Sequence, residues 1–70
     1  MSDAIQIHLN GRDREVATDL SVRDLILSLD LHPDLIVVER NRGILRREMY
    51  DDVPVEPGDV IELVHFVGGG

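Results

Sequence analysis

Seventy residues, 43% of them apolar, are enough for one small domain with an aliphatic core, since Tyr50 and Phe66 are the only aromatic residues. The net charge of −7, from fourteen acids against seven arginines, argues against nucleic-acid and anionic-membrane partners and favours a protein partner with a basic docking face. Cysteine and lysine are both absent, which excludes disulfides, thiol nucleophiles, cysteine-ligated zinc and Schiff-base chemistry on side chains.

The chain opens with Ala4-Ile-Gln-Ile-His-Leu9, whose alternation puts Ile5, Ile7 and Leu9 on one face of a half-buried strand. Asn10-Gly11 follows, a hairpin signal because both positions accept positive φ. The returning strand is expected over Arg14–Thr18, with Val16 turned inward. Ser21 and Asp24 then form an acidic variant of the capping box, and Val22, Leu25, Ile26 and Leu29 make one apolar helical stripe. Leu27 lies off that stripe. Pro33 forbids continuation, so the helix is expected to end near Leu31.

Leu35–Glu39 reads as a short strand, Asn41-Arg-Gly43 as its turn, and Ile44-Leu45 as a brief return. Residues 46–52 are polar and irregular, with Met49 and Tyr50 as anchors to the core. Two prolines and a Pro-Gly pair make residues 53–59 a structured loop. Val60–Val67 is the final strand, apolar enough to be central, and it is expected to run parallel to the first. The order of elements predicts an α+β domain of β-grasp type spanning residues 1–70: a small mixed sheet, one main helix and a C-terminal glycine tail.

In the last strand Ile61, Leu63, His65 and Val67 share one side, and Val60, Glu62, Val64 and Phe66 the other. Glu62 marks its side as facing away from the helix. Val64 and Phe66 would then be apolar on an uncovered face, a candidate partner-binding surface, unless loop 46–58 folds over them. Gly68, Gly69 and Gly70 add no packing and are expected to stay mobile, reaching about 10 Å beyond the fold when extended. Bare backbone tipped by a carboxylate suits threading into a narrow channel; a frayed end or a cloning scar is the plainer reading.

Other constellations carry less. The three histidines lack ligand spacing; His8 is read as solvated, His32 as stabilising the helix C-terminus and His65 as packed at the sheet edge, with no metal. Arg40, Arg42, Arg46 and Arg47 form a basic cluster, read as a solvated loop face balanced by Glu39, Glu48, Asp51 and Asp52 rather than as a partner contact. Glu62 is the one acid in an apolar run, which is thin evidence for catalysis in so small a chain. No phosphate-binding glycine motif is present. The amino end, Met1-Ser-Asp-Ala, has no basic region or apolar block, and no apolar run approaches membrane length, so a cytoplasmic protein is expected.

Across essentially its whole length the chain resembles the ThiS family of ubiquitin-like sulfur carriers. The matching features are the first strand with Asn10-Gly11, Ile36-Val-Val-Glu-Arg-Asn41, Gly58-Asp59 and above all Val60-Ile-Glu-Leu-Val-His-Phe-Val-Gly-Gly-Gly70. The resemblance implies a role in thiamine thiazole biosynthesis as a protein co-substrate, not an enzyme. A ThiF-type adenylating enzyme would thread Gly68, Gly69 and Gly70 to its Mg-ATP site and adenylate the Gly70 carboxylate. A sulfur donor such as a cysteine desulfurase would displace AMP, leaving a Gly70 thiocarboxylate for the thiazole synthase ThiG. The carrier itself would bind no cofactor. The residues alone leave open a carrier for molybdopterin or another sulfurated product, a β-grasp interaction module with an inert tail, and a protein modifier.

Overall fold

The computed structural model describes residues 3–65. Five strands and one short α-helix form the domain: β1 (Ala4–Leu9), β2 (Arg12–Ala17), α1 (Val22–Ser28), β3 (Ile36–Arg40), β4 (Gly43–Leu45) and β5 (Val60–His65). The sheet order is β2-β1-β5-β3-β4. β5 is therefore central, parallel to β1 on one side and antiparallel to β3 on the other. This is the β-grasp arrangement expected from the order of elements.

Local chemistry accounts for each joint. Asn10 and Gly11 both take positive φ and close the β1–β2 hairpin with strands longer than the sequence pattern suggested, Arg12 pairing with Leu9. The Ser21 hydroxyl accepts from the Asp24 amide at 3.0 Å, and the Asp24 carboxylate accepts from the Ser21 amide at 3.1 Å, the reciprocal cap expected. Val22, Leu25 and Ile26 are fully buried and Leu29 is half-buried, while Leu27 is exposed.

The helix ends at Ser28, earlier than Pro33 alone would dictate. Asp30 adopts left-handed φ, its amide donates to Leu27 O, and the Leu31 amide reaches back to Ile26 O at 3.2 Å. This is a Schellman closure with Asp in the position glycine usually holds, and it folds Leu31 back onto the core. β3 likewise starts one residue late, because Pro33–Leu35 form a 3-10 turn that leaves Leu35 exposed.

The core is Ile7, Leu9, Val22, Leu25, Ile26, Ile36, Val38, Val55 and Ile61 with one aromatic, Tyr50. The Tyr50 hydroxyl donates to Ile36 O at 2.8 Å. Met49, expected beside it as an anchor, is 42% exposed instead. The 3-10 turn Arg47–Met49 directs one side chain inward, and that is Tyr50.

Candidate functional site

The site is built on β5. Its two faces divide as the alternation predicts: Ile61 is buried and Leu63 half-buried against the helix side, while Val60 and Val64 are 44% and 57% exposed on the other. Loop 46–58 does not cover Val64. It is tied to the start of the helix instead, by Val22 N–H to Val53 O, Arg23 N–H to Tyr50 O and Val55 N–H to Leu20 O. The remaining tail-side candidates, Phe66, Gly68, Gly69 and Gly70, lie outside the described residues.

Two turn asparagines hold β5 from either side. Only His8↔Val60 and Leu9↔Ile61 pair directly between β1 and β5. Asn10 prolongs the ladder: its amide donates to Ile61 O at 2.9 Å, and its side-chain oxygen accepts from the Leu63 amide at 2.8 Å. Asn41, in the β3–β4 turn, does the same at the strand's start. Its amide donates to Val60 O at 2.7 Å and its side-chain oxygen accepts from the Val60 amide at 2.9 Å. Left-handed φ at both positions, 51° and 52°, aims these side chains along the neighbouring strand.

Asp59, immediately before β5, is the one buried charged or polar side chain in the core. Burial pushes its carboxyl up. The Glu56 amide, the Asn41 side-chain amide and the Arg40 guanidinium outweigh that push and hold it below the ordinary carboxylate range. Arg40 thus leaves the basic cluster in which the sequence placed it; its partners are Asp59 and, at 3.7 Å, Glu56. Arg46 pairs with Glu48 on the surface, and Asp51 pairs with Arg23. Sequence reasoning missed the role of Asp59. The available signal was Gly58-Asp59 directly ahead of the strand, after a turn in which Gly58 has φ 82°.

The histidines are dispersed. His8 is exposed and pairs with Asp13 across the hairpin. His32 does not serve the helix C-terminus; its Nδ1 accepts from the Asp34 amide at 3.3 Å and caps the 3-10 turn. His65 is exposed opposite Ile36, on the central strand rather than at a sheet edge. Although β1 and β5 are neighbours, His8 faces Val60, five positions before His65. Among the described residues no group of three His, Asp or Glu side chains is placed to hold a metal ion. No helix among them is long and apolar enough to cross a membrane.

Comparison with known proteins bears on this strand and its surroundings as a whole. The sequence model of the ThiS family matches residues 7–70. The sulfur carrier protein ThiS of Bacillus subtilis is 43% identical over 65 residues, covering 91% of this chain and 98% of that protein. A thiazole synthase of Magnetococcus marinus is 36% identical over 66 residues; the match takes in 94% of this chain and spans only 20% of that enzyme. The crystal structure of the thiamine biosynthesis protein ThiS from Geobacter metallireducens superposes with a TM-score of 0.81 at 33% identity, covering 94% of this chain and all of that one. The chain belongs to the ThiS family of sulfur carrier proteins.

Proposed function

We propose that this chain carries sulfur for the thiazole of thiamine, with the Gly70 carboxylate as its reactive group. A carboxylate is a poor electrophile. A ThiF-type enzyme would activate it by attack on the α-phosphate of Mg-ATP, releasing pyrophosphate and leaving an acyl-adenylate. Sulfur from a donor such as a cysteine desulfurase would then displace AMP, and the resulting thiocarboxylate would deliver the sulfur to thiazole synthase. Nucleotide, metal and catalytic side chains all belong to the partners in this scheme. The carrier supplies a rigid strand, an uncovered face beside it and the glycines Gly68 and Gly69, which fit a channel too narrow for side chains.

The observation that carries this reading is the end-to-end match to ThiS of Bacillus subtilis. The thiazole synthase that contains a similar segment favours the thiazole over molybdopterin as the destination of the sulfur. The test is intact mass measurement after incubation with ATP, a sulfur donor and the ThiF-type enzyme of the same organism. Replacement of one oxygen by one sulfur, located at Gly70, is expected. An unchanged mass under those conditions rules the carrier role out, and failure to rescue a thiazole auxotroph would remove the thiamine assignment alone.

A further inference from the structure

The sheet has one face packed on the helix and one bare, and the bare face is sorted by charge. Pairing places Val60, Glu62 and Val64 of β5 there, with Val37 and Glu39 of β3 and Ile44 of β4. Val64 stands opposite Val37, and Ile44, opposite Glu39, is 68% exposed. On the β1–β2 side the same face carries His8, Asp13 and Glu15. Four carboxylates thus occupy it and no arginine does. Arg12 and Arg14 share the register of Leu9 and Ile7 on the other face, and the remaining arginines sit on α1, at the β3–β4 turn and beyond it.

Within the apolar strip, Glu39 and Glu62 stand directly opposite each other on adjacent strands. A like-charge pair at directly opposed positions weakens a sheet. The free protein therefore carries this cost on the face nearest its last strand, where a cationic side chain from outside would remove it.

We propose that this face, centred on Val64, Ile44 and the Glu39–Glu62 pair, docks thiazole synthase through an apolar surface bearing arginine or lysine. The proposal rests on the sulfur-carrier reading above. Charge argues against a second copy as the occupant, because a twofold contact would bring the four carboxylates of each face together. The fused relative argues for the synthase. In Magnetococcus marinus a ThiS-like segment shares a chain with the enzyme, and such a linkage supplies a millimolar effective concentration. A separate chain has no such tether and needs docking free energy of its own, which a mobile tail of glycines provides poorly.

The experiment is calorimetric titration of the chain into the thiazole synthase of the same organism, with Glu62→Arg, Val64→Ser and, as a control on the helix side, Leu27→Ser. All three positions are exposed, so the fold is expected to survive. Glu62→Arg and Val64→Ser are expected to weaken binding at least about tenfold, a loss typical of central contacts. Leu27→Ser is expected to bind as wild type, and wild-type affinity to fall with added salt. Glu62→Gln is expected to bind less well yet melt about 1–4 °C higher, since it relieves the like-charge pair.

Wild-type affinity for both face variants overturns the proposal, provided the wild-type chain binds synthase and forms thiocarboxylate. If the wild-type chain does neither, the sulfur-carrier reading is what fails. Variants that slow adenylation while leaving synthase binding intact would assign the face to the activating enzyme and overturn the commitment made here. So would a wild-type dimer in sedimentation that Glu62→Arg dissolves.

Discussion

The Arg40 guanidinium grips the Asp59 carboxylate from a neighbouring strand, Nε to Oδ2 at 2.9 Å and Nη2 to Oδ1 at 3.4 Å. The Glu56 amide and the Asn41 side chain fill the remaining acceptor positions, so the buried charge is fully hydrogen-bonded. The pair sits where the loop after Tyr50 enters the central strand, and it fixes the first residue of that strand.

Asp59→Ala should cost roughly 3 kcal/mol, because it strands Arg40 and two amide donors. Urea unfolding at neutral pH measures this. The pH dependence has a definite sign. The folded carboxyl lies below its unfolded value, so its contribution is complete above about pH 4 and drains away as pH falls through the folded value. Asp59→Asn lacks that titration, and the stability gap between it and wild type should narrow on acidification. A gap independent of pH would show that the charge contributes nothing.

Asn10→Ala should cost about 0.5–1.5 kcal/mol, since the Leu63 amide it bonds is near solvent and exchanges one acceptor for water. The sharper readout is local. Hydrogen exchange at the Leu63 amide should accelerate well beyond the change in global stability, and Asn10→Asp, which retains an acceptor oxygen, should restore much of the protection. Uniform acceleration along β5 would assign Asn10 to the hairpin alone.

The two faces of β5 should respond unequally to truncation. Ile61→Ala, at a fully buried position, should cost about 2–5 kcal/mol, and Leu63→Ala less. Val64→Ala should leave the unfolding midpoint almost unmoved. Equal losses at positions 61 and 64 would contradict the assignment of the bare face.

Arg42 occupies left-handed backbone, φ 73°, at the second position of its turn, where glycine is usual. Arg42→Gly should stabilise by about 0.5–1 kcal/mol, the relief of strain exceeding the added chain entropy. A thermal melt decides it, and a lower midpoint would mean that the Arg42 side chain makes a contact worth more than the strain.

These residues also mark how much of the fold was legible in the sequence. Elements with a strong local signature were read directly: Asn10-Gly11 as a hairpin, Ser21 with Asp24 as a cap, and the apolar run from Val60 as the central strand parallel to the first. Misreadings arose where a distant contact decided the outcome. Nothing local distinguishes Tyr50 from Met49 as the anchor; the choice depends on a carbonyl fourteen positions away. Arg40 looked like one of four loop arginines because its partner lies nineteen positions ahead. The early helix stop at Ser28 rests on Asp in a left-handed position that glycine usually fills, so the expected punctuation was missing. For the candidate site, alternation separated Val64 from Ile61, but the opposition of Glu39 and Glu62 required the register of two strands.

The position of β5 also has a kinetic meaning. It is the last of the described strands in the chain and the middle one in space, and Asn10 and Leu63, which it brings together, are 53 positions apart. The β1–β2 and β3–β4 hairpins are local and close quickly, yet a lone two-stranded hairpin is marginal in water. Neither gains a partner until β5 arrives between them, and that long-range closure sets the folding rate. A chain stalled or cleaved before Val60 is two unjoined ribbons and a helix without a floor, a substrate for proteases rather than a weakened version of the folded protein.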